Sequence, residues 1–372
     1  MSAKPSAAKP DPGPPTTRRK LNFALIGCGR VSENHLAALT SSDVPARLVA
    51  VADVDQSRAQ QKGTKYGVPI YTDFEDMLTK QPDIEVVDIT TPTGYHAAHV
   101  QAVARFKKHV VVEKPMALTL QDCDAMLAAC QQNGRRLFVV KQNRFNSAVQ
   151  AARRALEAGR FGNLVLVTVR VRWRRDQAYY EADHWHGRWA LDGGVMSQQA
   201  SHHIDLLQWF LGPIESVQCQ AANRVLRLEA EDTAAAIFKA KSGALGILEA
   251  TVAARPKNLE GSLSILGEKG SVVIGGVAVN QIVHWEFSEP LPEDDVIHHQ
   301  ASQAVPNVYG NGHAPYLRDV AEAILDNRPA LVEGIEGRRN VEILTTLYES
   351  AARDGTRLSP GCPTVHSRLG RG

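Results

Sequence analysis

Four apolar residues in a row, Phe23 to Ile26, open the first regular pattern of the chain, and Gly27-Cys28-Gly29 ends it. A continuous apolar run of that length predicts a strand buried on both faces. A helical stretch follows the turn, and then "RLVAVADVD" reads as a second strand that stops at Asp53. The grammar repeats. "IEVVDITTP" is a strand, "GYHAAHVQAVARF" a helix, and "KHVVVEKPMA" a strand that runs into Glu113-Lys114-Pro115. "LQDCDAMLAACQQNG" is a helix closed by Gly134, and "RRLFVVKQNRF" is one more strand. Strand and helix in strict alternation predict a parallel, doubly wound sheet with right-handed crossovers.

From Asn146 the period changes. "AVQAARRALEAGRFG" is an amphipathic helix, and "NLVLVTVRVRW" then alternates with period two. Val165, Val167, Val169, Val171 and Trp173 take one face; Leu166, Thr168, Arg170 and Arg172 take the other. That is a strand covered on one side. "ESVQCQAANRV", "DTAAAIFKA", "GALGILEATVA", "EGSLSILGEKGSVVIGG" and "VNQIVHWEF" continue as strands, with turn residues such as "GEKG" between them. Two helices follow, near Ala314–Asp326 and Ile335–Ala352. The expected fold class is α/β: an N-terminal parallel nucleotide-binding sheet, then an α+β unit with a large, mostly antiparallel, open-faced sheet. The expected limits are 1–20 for a tail, 21–143 for the first domain and 144–372 for the second. A sheet with one free face predicts a homo-oligomer, dimer or tetramer, packed sheet on sheet.

One stretch breaks the rule that polar groups avoid an apolar helix. In "GGVMSQQASHHIDLLQWF", Gln198, His202 and Asp205 fall at i, i+4 and i+7, on one stripe if the helix is continuous. His203 points to another face.

Composition narrows the class. The 372 residues carry 42 Lys and Arg against 40 Asp and Glu, so neither nucleic acid nor a membrane surface is called for. Five scattered cysteines form no C-x-x-C pair, which fits a reducing cytoplasm and no zinc ribbon. The Pro-, Ala- and Lys-rich first twenty residues read as a disordered tail. "TTRRK" imitates an export signal, but the apolar run behind it is short and reads better as the first strand. No acid or thiol is spaced to complete a metal set with His184, His186, His202 or His203, so no metal is expected.

The chemistry collects at strand ends, where parallel sheets bind ligands. Gly27, Asp53, Thr91, Lys114 and Asn143 all lie there. G-x-G at Gly27 and Gly29, with an acid twenty-six residues after Gly27, predicts NAD: the acid takes the ribose hydroxyls and repels a 2′-phosphate. His202 suits a base for a hydroxyl proton, and Lys114 a fixed charge for the developing alkoxide.

These features, namely a G-x-G Rossmann turn, "EKP" at a strand end and "GG…H-x-x-D" opening the second domain, resemble the Gfo/Idh/MocA oxidoreductases over nearly the whole chain after Leu21. "VVKQNRFN", "WALDGGVMSQQASHHIDLLQWFLGP", "KNLEGSLSILGEKGSVVIGGVAVNQIVHWEFSEP" and "VYGNGHAPY" look more narrowly like the dehydrogenases that oxidise the C3 hydroxyl of UDP-N-acetyl-glucosaminuronate. In that group the 3-keto product goes to a pyridoxal-phosphate aminotransferase on the way to diacetylated aminouronic acids of O-antigens. The resemblance implies Lys114 and His202 as catalytic residues, supported by Gln198 and Asp205. It implies NAD held by Gly27, Cys28, Gly29, Arg30, Val31, Asp53, Thr91, Pro92, Thr93, His96, Glu113 and Lys114. Substrate contacts would come from Lys114, Lys141, Asn143, Arg144, Arg172, Gln198 and His202. Gln198 stands where many relatives carry Asp or Asn, which points to substrate holding rather than a dyad with His202. Four arginines in "RVRWRRDQAYY" suit a diphosphate and a carboxylate. A dehydrogenase of another sugar or of inositol, or an NAD-sensing regulator, would share most of these features.

Overall fold

The computed structural model describes residues 19–305 and 307–371. The tail expected over 1–20 therefore lies, up to residue 18, outside the described residues; Arg19 and Lys20 are exposed, and Arg19 pairs with Glu85.

The first half runs β1 (Leu21–Ile26), α1 (Ser32–Leu39), β2 (Ala46–Ala52), α2 (Gln56–Tyr66), β3 (Ile70–Tyr71), α3 (Phe74–Lys80), β4 (Val86–Ile89), α4 (His96–Arg105), β5 (His109–Val112), α5 (Leu120–Gln132) and β6 (Leu137–Val139). The six strands form one sheet in the order β3-β2-β1-β4-β5-β6, with every neighbouring pair parallel. The winding reverses between β1 and β4, which opens a crevice beyond their carboxyl ends. Local chemistry sets the helix ends. Asp55 caps α2, Asp73 caps α3 and Thr119 caps α5, each accepting from first-turn N–H groups.

The second half runs α6 (Ser147–Glu157), β7 (Leu164–Arg172), α7 (Gln177–Glu181), α8 (Val195–Gln198), α9 (Ser201–Leu211), β8 (Ile214–Ala222), β9 (Thr233–Ala240), β10 (Leu245–Thr251), β11 (Glu260–Gly267), β12 (Gly270–Gly275), β13 (Gln281–Phe287), α10 (Asp294–Ala301), α11 (His313–Leu325) and α12 (Gly334–Ala352). Its seven strands lie in the order β13-β12-β11-β7-β10-β9-β8, and only β7 with β10 is parallel. The pattern does not predict β3, α3, α7 or α10, which are two to eight residues long.

One core lies between the second sheet and its helices, with Leu206, Leu207 and Phe210 of α9 and Leu344 and Leu347 of α12 against Val167, Val169 and Val171. The carboxyl-terminal helices also serve the first sheet. Tyr316, Leu317 and Val320 of α11 join Leu36 and Leu39 of α1 over Phe23 and Val111. The other face of the second sheet is open, with Ile237 55%, Leu245 48% and Ile247 40% exposed. Among the described residues no helix is long and apolar enough to cross a membrane.

Candidate active site

The glycine turn follows β1 at the reversal of the winding. Gly27 has φ +95°, and a Cβ there would lie 2.9 Å from the Thr90 carbonyl, so only glycine fits. The Cys28 N–H donates to Asp53 Oδ2 at 2.6 Å, and the Asp55 N–H to Asp53 Oδ1 at 2.8 Å. Because Asp55 caps α2, Asp53 is not spent on that helix and stays at the turn. In front of Gly29 a Cβ would meet nothing within 4 Å, and α1 has no side-chain cap at Val31. An open volume, free N–H groups at a helix start and an acid beside them fit a dinucleotide pyrophosphate and ribose. Arg30 is exposed at this turn.

Beyond β4, Thr91 Oγ1 lies 3.0 Å from His99 Nδ1, Thr93 is buried, and Pro92 is half-buried. His96 is fully buried; its Nε2 is 2.8 Å from the Thr91 carbonyl and its Nδ1 3.0 Å from that of Pro115. It ties the loop after β4 to the loop after β5. Beyond β5, Glu113 Oε2 accepts the Lys114 N–H at 2.9 Å. The Lys114 ammonium crosses to the second half and donates to the Gln198 carbonyl at 2.9 Å and to Gln198 Oε1 at 2.8 Å. Burial lowers its pKa, against the pull of Glu113 and Asp192.

His202 is buried, and its Nε2 lies 3.0 Å from the Gln142 side-chain amide. Burial, then the charges of Lys114 and Lys141, hold the imidazole well below its usual pKa. It is neutral at neutral pH, and Nδ1, which has no protein partner among the described residues, is the nitrogen open to a substrate hydroxyl. His203, as expected, faces elsewhere: it is fully buried, edge-on to Trp173 at 5.8 Å.

Several expectations need correction. The stripe is not one helix: α8 ends at Gln198 and α9 begins at Ser201, so Gln198 and His202 stand on separate turns. Asp205 does not orient His202. Its carboxylate takes Arg144 Nε and Nη2, each at 2.8 Å, with Lys141 Nζ 3.9 Å away. Arg144 is thereby buried, stacked over Trp209 and not free for substrate. Lys141, also buried, donates to Asn340 Oδ1 at 2.6 Å and reaches His202 only through its charge. Asn143 is buried as well. Arg172 is not brought to the site. It lies on the open face of the second sheet, donating to Glu249 at 2.6 and 2.7 Å and to Glu260 at 3.2 Å.

The segment between β7 and α8 comes to the site and separates the four arginines of "RVRWRRDQAYY". The Gly94 N–H donates to the Leu191 carbonyl at 3.0 Å, and a Cβ on Gly94 would meet the Ala190 carbonyl at 2.7 Å. This segment therefore lies against the strand ends of the first sheet. Its Tyr179 carries two guanidinium groups, Arg30 at 4.9 Å and Arg175 at 5.1 Å from the ring centroid. Neither arginine is paired with a carboxylate among the described residues, whereas Arg174 pairs with Asp176. Gln142 was within a quoted motif, and its polarity beside an apolar strand end was the available signal.

A glycine turn with its acid, and a lysine reaching across to Gln198 beside a neutral histidine, define an NAD-dependent oxidoreductase of two domains. Residues 21–141 match the oxidoreductase family with NAD-binding Rossmann fold, and residues 149–273 match the GFO/IDH/MocA C-terminal domain. The chain belongs to the Gfo/Idh/MocA oxidoreductase family. It is similar to the WlbA dehydrogenase of Bordetella pertussis, solved with NADH and UDP-GlcNAcA: 42% identity, TM-score 0.87, covering 94% of this chain and all of that one. The WlbA dehydrogenase of Chromobacterium violaceum, solved with the same two ligands, is 42% identical with TM-score 0.86, over 94% of this chain and 99% of the other. Inositol 2-dehydrogenase of Rhizobium meliloti is 30% identical over 68% of this chain and 74% of that protein. D-apiose dehydrogenase of Paraburkholderia graminis is also 30% identical, and the match spans 64% of this chain and 63% of that protein's length.

Proposed function

We propose that the protein oxidises the C3 hydroxyl of UDP-N-acetyl-glucosaminuronate to the 3-keto sugar. The observation that carries this reading is the Lys114 ammonium placed 2.8 Å from Gln198 Oε1, one turn before the neutral His202. His202 accepts the hydroxyl proton, and a neutral imidazole is the form able to do so. Lys114 donates to the oxygen as its charge develops. Bound NAD supplies the hydride acceptor. Gln198, already hydrogen-bonded to Lys114, holds the reacting part of the sugar against it.

The substrate would carry a diphosphate and a carboxylate, and Arg175 and Arg30, which have no carboxylate partner among the described residues, are placed to meet such groups. The similarity to two UDP-GlcNAcA-bound dehydrogenases at 42% identity supports this substrate class. The same reading sets the enzyme in the cytoplasm, upstream of a pyridoxal-phosphate aminotransferase in O-antigen precursor synthesis. It also makes the enzyme a dimer or tetramer through the open face of the second sheet, where Ile237, Leu245 and Ile247 are exposed. The resemblance to inositol and apiose dehydrogenases favours the competing substrates, a cyclitol or a free sugar.

The test is incubation with NAD and UDP-N-acetyl-glucosaminuronate deuterated at C3, coupled to an aminotransferase with glutamate. Deuterated NADH and a product bearing the mass of a 3-amino sugar are expected. NADH from myo-inositol alone would move the substrate to a cyclitol, and no turnover with any polyol would leave a sensor.

A further inference from the structure

His35, on the inner side of α1, is fully buried and takes no part in the reaction just described. Each of its ring nitrogens faces a carboxylate. Nδ1 is 2.7 Å from Asp88 Oδ2 on β4, and Nε2 is 2.9 Å from Glu113 Oε1 beyond β5. An ionised carboxylate only accepts, so both nitrogens must donate, and a ring that donates from both is an imidazolium. A neutral ring would set a lone pair against a carboxylate oxygen at under 3 Å.

The other oxygen of Glu113 accepts the Lys114 N–H, so that carboxylate is fully used: one oxygen on His35, one on the backbone of the next residue. Two further groups against the cluster come from α11. His313 stands edge-on to His35 at 5.1 Å, and burial keeps it neutral, with a pKa lowered to about 3. Tyr316, also of α11, faces Asp88 and Glu113 and is held protonated by burial. The cluster then reads Asp88 minus, His35 plus, Glu113 minus, Lys114 plus.

We propose that His35 is a positioning residue for Lys114: as a permanent imidazolium it engages Glu113 and keeps that carboxylate off the Lys114 ammonium, which is left for Gln198 and the substrate oxygen. Without the ring charge, the nearest cation to Glu113 is the ammonium one residue along. Two buried carboxylates sharing that single cation would draw it from Gln198 and hold it away from the reacting oxygen. The inference rests on Lys114 acting in the reaction as proposed above.

The charge state is tested without turnover. Nitrogen NMR of the full-length enzyme labelled at histidine should show, at pH 8, a ring with both nitrogens protonated whose signal His35→Gln removes. Absence of such a ring in the wild type overturns the proposal. In kinetics, His35→Gln should lower kcat by about 30-fold or more while KM for NAD changes by less than about threefold. Asp88→Asn added to His35→Gln removes one charge of each sign and should restore about tenfold of the lost kcat. A double variant no faster than His35→Gln, or a His35→Gln enzyme at wild-type speed, overturns the positioning role. Should His35→Gln fail to fold, the NMR signal and the double variant decide. If instead Lys114→Ala turns over normally, the reading of Lys114 fails while the imidazolium signal stands.

Discussion

On the six-stranded sheet the functional polar groups collect beyond the carboxyl ends of the strands, whereas on the seven-stranded sheet polar groups stand along the strands themselves. Beyond β1, β2, β4 and β5 come the glycine turn, Asp53, Thr91 and Lys114, all aimed at one crevice. Along β7, β10 and β11 stand Arg170, Arg172, Glu249 and Glu260, which answer one another across the strands. Cross-strand neighbours sit roughly 5 Å apart, so opposite charges on a strand face meet each other before any ligand. A strand end has no such neighbour. Arg175 shows the boundary, because it lies just past the end of β7 and its side chain has no carboxylate partner among the described residues.

The largest effects should come from the strand-end site. Lys114→Ala and His202→Ala should each cost on the order of 10²–10⁴ in turnover. His202→Ala should keep its affinity for NAD, measured by titration, since the glycine turn and Asp53 lie on the other sheet. His203→Ala should leave turnover within about twofold, because a ring packed edge-on in the core meets no reacting atom. The pH profile follows from the direction of each shift. His202 must be neutral and its pKa is lowered, so turnover falls only when pH drops well below 6.5. Lys114 must keep its proton and its pKa is also lowered, so the alkaline limb lies below 10.5. A limb centred on an ordinary histidine value would remove His202 from the role of base.

The next effect separates the two kinds of position within one run of sequence. Arg175→Ala should raise KM for the nucleotide sugar by about 10–100-fold, the worth of roughly one charge-assisted contact, with a smaller change in kcat. Arg30→Ala distinguishes the anion it meets: a rise in KM for NAD alone would assign it to the cofactor, and a rise in KM for the sugar to the substrate.

Much of this was legible in the sequence, for particular reasons. Period-two and apolar-run patterns located both sheets, and glycine with a following acid located the nucleotide crevice. The adjacent histidines were separable by helical angle, although α8 and α9 break at Gln199 and Ala200. Partners across the sheet were not legible. Glu249 is seventy-seven residues from Arg172, and Asp205 sixty-one from Arg144, so pattern alone left both arginines free. The same distance hid His35, which is joined to Glu113 only through the fold.

A smaller effect tests the crevice itself. NAD should bind tighter than NADP by about tenfold or more, near 1.4 kcal/mol, because Asp53 would repel a 2′-phosphate. Both Asp53 oxygens are held by backbone N–H groups of the turn, so the charge cannot swing away to admit the phosphate. Equal affinities in a titration with the two cofactors would show that the acid does not read the ribose.

The smallest effect belongs to the strand face. Arg172→Ala removes a side chain about one-third exposed, held by Glu249 and Glu260. Exposed pairs of this kind contribute about 0–1 kcal/mol each, so the thermal midpoint should fall by a few degrees at most. KM for the nucleotide sugar should stay within about twofold of wild type, since the guanidinium is already committed on the open face. If that face joins two copies, the loss appears in sedimentation instead, as weaker association with a changed dependence on salt. Arg172→Ala and Arg175→Ala thus form a matched pair, three residues apart and on opposite sides of the strand end. Should Arg172→Ala raise KM as far as Arg175→Ala does, the distinction between strand end and strand face fails, and the open face of the sheet would have to reach a substrate.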